Sequence, residues 1–292
     1  MINTIWKKSI SILLYHRVLV NPQHWLHQGM GVAQFVERMK ILKKRYCTLS
    51  IDEARHCLEH NTIPNRAVVL TFDDGYLEHF QVATSVLSDL NLPACFFIPT
   101  DYIGSTGMWS DKLVWALKHW ELPSLDLREF YQSCFHTKTE IQRQRVLEYL
   151  KKWLKYQPKK IQDALVTHLF QAHDFPEMPR QMMSEKELLA LHQQGFTIGS
   201  HTHTHPIFSQ VTLQQCQQEL VTSKKILEKI LNAPVRYFAY PNGIQNKDFE
   251  DAHQILVKKA GYDFAFSTSH GKLKTSTNQL ACPRTHYLSV FS

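Results

Sequence analysis

The sequence lacks the long apolar run that a membrane-spanning helix requires. No stretch of about 18 consecutive apolar residues occurs in its 292 residues. The apolar segment at residues 10–15 is too short for a secretory signal peptide, and the polar residues His16 and Arg17 follow it at once. We therefore expect a cytoplasmic protein, either free or held at the inner face of the membrane.

Closely spaced cysteine pairs are also absent. The six cysteines are scattered along the chain, and no Cys-x-x-Cys spacing occurs. In a chain of this length, such a distribution favours buried thiols in a reducing compartment over a disulfide framework.

The sequence has no dense block of charge of one sign. The 33 lysines and arginines exceed the 26 acidic residues, which gives a formal net charge of +7. The basic residues are spread over predicted helices, for example at positions 151–152 and 258–259. This pattern is more typical of solvated helix faces than of a nucleic-acid-binding surface. The net positive charge can also give some attraction to an acidic glycan or, through peripheral membrane contact, to a lipid headgroup. The sequence carries no signal for a particular oligomeric state.

What the chain does contain is a regular alternation of strand-like and helix-like segments. The predicted strands are Ile10–Tyr15, Ala67–Phe72, Cys95–Ile98, 196–199, 235–240, 264–267 and 282–288. Amphipathic helices separate them, and in one of these, Leu213–Leu231, Leu213 is predicted to face inward. Strands that alternate with helices imply a parallel sheet, and this series is long enough to close into a barrel.

Residues 104–183 interrupt this alternation. They show helical patterns but no convincing strand, so we predict a mostly helical insertion between two barrel units. The whole chain, residues 1–292, is then one catalytic domain with this insertion. Trp109 is predicted to lie in a loop after the strand Cys95–Ile98, where it can line a cleft and contact a sugar.

Two polar segments follow predicted strands. Residues 71–75, Thr-Phe-Asp-Asp-Gly, place two carboxylates where a strand runs into a glycine turn, and residues 201–205, His-Thr-His-Thr-His, follow the strand at 196–199. One carboxylate and two imidazoles form a three-ligand site with an open coordination position, which is typical of hydrolytic rather than structural metal centres.

Asp74, His201 and His205 can supply these three ligands. The histidines are four residues apart, so one tight turn can aim both inward while His203 points away. Consecutive side chains diverge, and an aspartate beside the ligand can therefore act as the general base. One oxygen and two nitrogens suit Zn²⁺, and Co²⁺, Ni²⁺ or Fe²⁺ also fit this donor set.

These two motifs resemble those of the polysaccharide deacetylases, the NodB-homology domain or carbohydrate esterase family 4. The resemblance extends from residue 10 to the end of the chain, apart from the insertion. It implies an α/β fold, a distorted (β/α)7-type barrel, that hydrolyses N- or O-acetyl groups of glycans. It also implies that Asp73 is the base and that Asp74, His201 and His205 bind the metal.

A third segment, residues 238–243 or Phe-Ala-Tyr-Pro-Asn-Gly, is similar to the family's Phe-Arg-Pro-Pro-Tyr-Gly loop. By this resemblance the backbone N–H of Asn242 is the oxyanion donor. Ala239 replaces the family's arginine, which orients the base, and we hypothesise that Arg284 supplies that charge from the last strand. Tyr76 and Tyr240 are predicted to contact the substrate together with Trp109.

In this family, the histidine that acts as the general acid usually follows the third motif at the end of a strand. No such strand end with a histidine follows Gly243. Instead, the first strand, Ile10–Tyr15, ends at His16. This is similar to a permuted subgroup, typified by poly-N-acetylglucosamine deacetylases, in which that motif comes first. A barrel is a ring, so the order of strands can change without moving the site. His16 is therefore the predicted general acid, with a structural histidine as the alternative.

The leading hypothesis is a metal-dependent hydrolase that removes N-acetyl groups from an amino-sugar glycan or its biosynthetic precursor. One alternative is deacetylation or deformylation of a lipid-linked sugar at the inner membrane face. Another, from a different class, is a catalytically inactive glycan-binding module. The missing arginine of the third motif favours that module, whereas the intact aspartates and histidines of the first two motifs argue against it.

Overall fold

The computed structural model describes residues 8–20, 29–131 and 133–286. Its strands are β1 (Ile10–Tyr15), β2 (Val18–Leu19), β3 (Met30–Gly31), β4 (Cys47–Thr48), β5 (Ala67–Phe72), β6 (Cys95–Ile98), β7 (Ser124–Asp126), β8 (Cys134–His136), β9 (Thr197–Ser200), β10 (Tyr237–Ala239), β11 (Phe264–His270) and β12 (Cys282–His286). Its α-helices are α1 (Val32–Arg45), α2 (Ile51–Glu59), α3 (Thr84–Asp89), α4 (Trp109–Lys118), α5 (Arg128–Tyr131), α6 (Glu140–Leu154), α7 (Lys159–Ala172), α8 (Glu185–Gln193), α9 (Leu213–Leu231) and α10 (Asp251–Lys259).

Seven parallel strands of the described chain close into a barrel. They follow the order β1, β12, β11, β10, β9, β6 and β5, and β5 pairs back onto β1 from Ile10↔Ala67 to Tyr15↔Phe72. The short strand β4 pairs with the start of β5. This arrangement confirms the predicted (β/α)7-type barrel. Closure places the last strand, β12, beside the first strand, β1, with Leu13 opposite Thr285.

Five of the seven barrel strands, β1, β5, β6, β10 and β11, divide their apolar residues between two hydrophobic clusters. Along β5, Ala67 and Val69 belong to the cluster inside the barrel, whereas Val68 and Leu70 belong to the cluster beneath the helices. Successive side chains of a strand point to opposite faces, so the inward positions of β5 continue to Thr71 and Asp73. The strand pattern therefore decides which polar residues reach the carboxyl end of the barrel interior.

The predicted insertion contributes a hydrophobic cluster of its own. α4, α6 and α7 pack together around buried leucines such as Leu117, Leu150 and Leu165. The segment also contains an antiparallel hairpin of β7 and β8, which we did not predict. The description of residues 1–292 as one catalytic domain with an insertion at 104–183 stays a prediction.

Several element bounds differ from the sequence-based expectation. The predicted strand 235–240 is shorter, Tyr237–Ala239, and the predicted strand 264–267 continues to His270. Leu213 was predicted to face inward, but it is the first residue of α9 and is 49% exposed. The inward stripe of that helix begins at Cys216 and Leu220, whereas Leu213 belongs to none of the described hydrophobic clusters. None of the described helices is long and apolar enough to cross a membrane.

Candidate active site

The polar ends of several strands converge on one cavity of about 910 Å³ at the carboxyl end of the barrel. Asp73 follows β5, His201 follows β9 and His16 follows β1, and all three line this cavity. Parallel strands place their carboxyl ends at the same end of a barrel, and sites of such folds lie there. The sequence motifs are therefore brought together by the barrel itself.

Asp74, His201 and His205 form a compact group that we call the ligand triad. The Asp74 Oδ1 atom lies 3.5 Å from the His201 Nε2 atom and 3.3 Å from the His205 Nε2 atom. The two imidazole nitrogens are 3.2 Å apart, and the three donor atoms lie within 4.8 Å of one another. One carboxylate oxygen and two imidazole nitrogens at this spacing fit a divalent cation.

Left-handed backbone conformations orient two members of the triad. Asp74 has φ of 76° and the following Gly75 has φ of 71°, which turns the chain sharply after β5. His205 has φ of 59°, and its N–H donates to the Oγ1 atom of Thr202, which is itself at φ of 69°. Such values are uncommon for residues other than glycine and concentrate at functional sites. The turn explains how two consecutive aspartates can both line the cavity.

The hydrogen bond of the second nitrogen of His201 fixes the orientation of its ring. Its Nδ1 atom lies 2.7 Å from the carbonyl oxygen of Ala239, so this nitrogen carries the proton and donates it to that oxygen. The Nε2 atom then faces Asp74 and His205 with its lone pair free, which is the arrangement usual for metal-binding histidines. His203 points elsewhere, with its Nδ1 atom 2.9 Å from the Thr100 Oγ1 atom.

Glu219 on α9 holds the segment between the two histidines of the triad. Its Oε2 atom accepts the N–H groups of His203 and Thr204 at 2.7 Å each, and its Oε1 atom accepts the Thr204 hydroxyl at 2.7 Å. Sequence analysis did not find this residue. It is one of several polar residues on an amphipathic helix, and nothing in its local pattern distinguishes it from them.

The pKa shifts of Asp74 and His205 favour the forms of these side chains that bind a cation. Burial raises the pKa of Asp74, but hydrogen bonds to His201 and His205 outweigh it and hold that pKa well below the ordinary value. Burial lowers the pKa of His205 below its ordinary value and favours the neutral ring. Burial also opposes the charged form of His201, but the charges of Asp73 and Asp74 raise its pKa. A cation bound here would take over the attraction to those carboxylates.

Asp73 forms a buried, bidentate ion pair with Arg284. The guanidinium Nη1 and Nη2 atoms lie 2.7 Å from the two carboxylate oxygens of Asp73, and the Nε–H donates to the carbonyl oxygen of Ser267. Both side chains are almost fully buried. Burial raises the pKa of Asp73, but the charge of Arg284 outweighs it and keeps the pKa below the ordinary value. Arg284 thus contacts Asp73 directly, and its role as the base-orienting arginine stays a prediction.

His16 lies at the edge of the same cavity, directly after β1. Its residue is exposed, and the Nε2–H of buried His79 donates to its backbone carbonyl at 2.5 Å. The backbone of His16 is therefore held while its side chain can meet a ligand. Its assignment as the general acid stays a prediction.

Asn242 lines the cavity in a left-handed conformation, with φ of 59°. The Thr268 hydroxyl donates to its carbonyl oxygen and so fixes the peptide group. Among the residues that the structure describes, none accepts a hydrogen bond from the Asn242 N–H. The amide is therefore available to a ligand.

The three predicted substrate contacts have different positions. Tyr76 and Trp109 line the cavity, although Trp109 begins α4 rather than lying in a loop as predicted. Tyr76 is buried, and its hydroxyl donates to Asp111 at 3.2 Å. Tyr240 does not line the cavity. Its ring stacks on Phe249 at 3.7 Å and its hydroxyl donates to a backbone carbonyl, so it belongs to the core beneath the helices.

The chain is similar to proteins of one known family. A family model described as polysaccharide deacetylase matches residues 60–265 of this chain. The candidate polysaccharide deacetylase YxkH of Bacillus subtilis (strain 168) is 22% identical over 278 residues, which cover 94% of this chain and 70% of that protein. The matched range contains the ligand triad, Asp73 and Asn242, whereas His16 and Arg284 lie outside it.

Two solved structures share the fold. The Streptococcus pyogenes deacetylase PplD, in complex with acetate, has a TM-score of 0.64 at 18% identity and covers 96% of this chain and 92% of its own. IcaB from Ammonifex degensii has a TM-score of 0.63 at 17% identity, with coverage of 97% and 95%. The family model spans more than half of the chain. The chain therefore belongs to the polysaccharide deacetylase family.

Proposed function

We propose that this chain is a metal-dependent hydrolase that removes N-acetyl groups from an amino-sugar glycan or from its biosynthetic precursor. The main observation behind the proposal is that the ligand triad and the ion pair of Asp73 with Arg284 lie at the same end of the barrel. The ligand triad and the ion pair of Asp73 with Arg284 lie side by side, and the triad and Asp73 line the same cavity as His16 and Asn242.

Each of these residues has one step in the proposed reaction. Asp73 accepts a proton from the water that attacks the acetamide carbonyl, and Arg284 keeps Asp73 ionised and oriented. The N–H of Asn242 stabilises the oxyanion of the tetrahedral intermediate. His16 donates a proton to nitrogen as the carbon–nitrogen bond breaks, which leaves acetate and a free amine.

The ligand triad would hold the metal that such a reaction uses. A bound divalent ion, in our proposal Zn²⁺, supplies a Lewis acid that acidifies water and polarises a carbonyl group, and Co²⁺, Ni²⁺ or Fe²⁺ can do the same. The protein contributes the orientation of His201 through Ala239 and the neutral state of His205. Both properties are needed before a cation can bind.

The first test is acetate release from acetylated chitooligosaccharides by the purified protein, with chelator and after addition of Zn²⁺. We expect metal-dependent acetate. Asp73→Asn should lower turnover by about 10²- to 10⁴-fold while the bound metal per chain stays unchanged. Asp89→Asn, at an exposed aspartate on α3, is the matched control. Retained turnover in Asp73→Asn would overturn the base assignment, and no acetate from metal-loaded wild type would overturn the reaction.

The second test concerns the proton donor. His16→Ala should lower turnover by at least about 10²-fold without changing the metal content. His60→Ala, at an exposed histidine after α2, should behave as wild type. Full activity of His16→Ala would assign that histidine a structural role and leave the acid elsewhere in the cavity.

A further inference from the structure

The insertion forms one wall of the active-site cavity, and that wall is basic. Four lysines from the end of α6, the following turn and the start of α7 line the cavity: Lys151, Lys155, Lys159 and Lys160. Apart from Asp73 and Asp74, Glu219 is the single carboxylate among the described lining residues. Its oxygens already accept the backbone and hydroxyl donors of Thr204 and the backbone N–H of His203. The wall therefore presents an excess of positive charge to a ligand.

Lys151 lies on the side of the wall near Tyr76. Its nearest charged neighbours are Asp111, which pairs with Arg17 at 3.4 Å, and Arg17 itself. Burial lowers the pKa of Lys151, and no carboxylate of the described residues lies within salt-bridge distance of its ammonium group. A partly desolvated ammonium without an anionic partner is unfavourable, and a ligand anion would relieve this cost.

Lys155 directly follows the end of α6, on the side of the Asn242 loop. The neighbouring Tyr156 donates to the Asp248 Oδ1 atom at 3.3 Å, and the Oδ2 atom of Asp248 accepts the N–H of Ile244 in that loop. These contacts fix the insertion against the loop. Burial lowers the pKa of Lys155, which likewise has no carboxylate of the described chain within salt-bridge distance.

Lys159 and Lys160 continue the wall toward the histidine segment. The Nζ atom of Lys159 lies 5.7 Å from the ring centroid of Tyr102, whose hydroxyl donates to the carbonyl oxygen of Thr204. Lys159 also pairs with Asp163 at 3.2 Å, so its charge is partly neutralised. Lys160 is exposed, whereas Lys151 and Lys155 are half-buried and unpaired within the described chain, so these two lysines are best suited to bind a further anion.

We propose that the amino-sugar substrate carries an anionic substituent, a phosphate or a carboxylate, that Lys151 and Lys155 bind while the acetamido group lies at the ligand triad. The inference rests on the proposed function and specifies its substrate class. Lys151 and Lys155 line the same cavity as the ligand triad, so a glycan bound in this cavity can contact both. Charge-assisted hydrogen bonds to such an anion are stronger than neutral ones.

The test compares three substrates on the metal-loaded, full-length protein. They are neutral acetylated chitotetraose, the same oligomer with a 1-phosphate, and a tetrasaccharide of alternating N-acetylglucosamine and N-acetylmuramic acid, which carries carboxylates. We expect a lower KM for one of the anionic substrates than for the neutral one. In the variant Lys151→Gln/Lys155→Gln, that preference should fall by about tenfold. The control Lys138→Gln/Lys152→Gln removes the same charge from exposed positions of the insertion outside the cavity and should keep the preference.

The comparison of the two anionic substrates shows whether phosphate or carboxylate is bound. Equal KM values for all three substrates, or an equal loss of preference in both double variants, would overturn the inference. Binding of N-acetylglucosamine 1-phosphate, measured by calorimetry, gives a readout that needs no turnover. Loss of this binding in Lys151→Gln/Lys155→Gln would support the lysine site even if no substrate released acetate. Undiminished binding in that variant would overturn the lysine site whatever the activity, and no binding to wild type would exclude phosphate as the bound group.

Discussion

The buried pair of Asp73 and Arg284 allows a quantitative test of how the active site is held together. The two side chains are 2% and 0% exposed and share two hydrogen bonds of 2.7 Å. Removing one partner of such a pair leaves an uncompensated buried charge and costs about 3–5 kcal/mol. We therefore expect Arg284→Met to lower the free energy of unfolding by about 3–5 kcal/mol, and Asp73→Asn by a comparable amount.

The double variant Asp73→Asn/Arg284→Met separates this explanation from simple loss of packing. It leaves no unpaired charge, so it should cost at least about 2 kcal/mol less than the sum of the two single variants. The measurement is urea unfolding at pH 7 in the presence of chelator, so that metal binding does not contribute to stability.

An exposed ion pair of the same chain is the control. Arg55 and Glu59 pair at 3.2 Å on α2 with side chains that are 30% and 43% exposed, so Arg55→Met should cost less than about 1 kcal/mol. Additive losses of Asp73→Asn and Arg284→Met, to within about 0.5 kcal/mol, would refute a coupled buried pair.

Two further predictions concern packing and pH. A Cβ atom at Gly199 would lie 2.5 Å from the Phe97 ring inside the barrel. Gly199→Ala should therefore lower the free energy of unfolding by about 1–3 kcal/mol. An unchanged midpoint of urea unfolding would contradict this prediction. Hydrogen bonds from Arg180 and Ser184 lower the pKa of Glu187 from 4.5 to about 2. The stability from this ionised group is therefore complete above about pH 4.5 and is lost as the pH falls toward 2. Glu187→Gln should cost about 1 kcal/mol at pH 7 and less at pH 3, whereas equal costs would exclude this linkage.

Local sequence patterns were sufficient for the elements that position the site. The strands Ile10–Tyr15, Ala67–Phe72 and Cys95–Ile98 and the helix Leu213–Leu231 have the predicted bounds. Their apolar residues recur with the period of a strand or a helix, and this signal depends on neighbouring residues only. The same regularity placed the two aspartates and the histidines at strand ends.

Positions that depend on distant neighbours were predicted less well. Tyr240 belongs to the third motif, but its ring stacks on Phe249 away from the cavity, and Trp109 begins a helix. Leu213 fits the apolar stripe of α9, yet it is 49% exposed, whereas Cys216 in the same turn is fully buried. Whether a side chain is buried, and in which part of the protein, depends on the elements that pack against it. A local sequence pattern does not contain that information.

The sequence by itself determined the alternation of strands and helices and the kinds of groups at the strand ends, because these are local properties of the chain. The tertiary structure alone decided which groups meet. Arg284 reaches Asp73 across 211 residues because barrel closure places the last strand beside the first, next to β5. Glu219 and the lysines of the insertion reach the cavity only through the packing of helices, for which their own sequence neighbourhoods carry no signal.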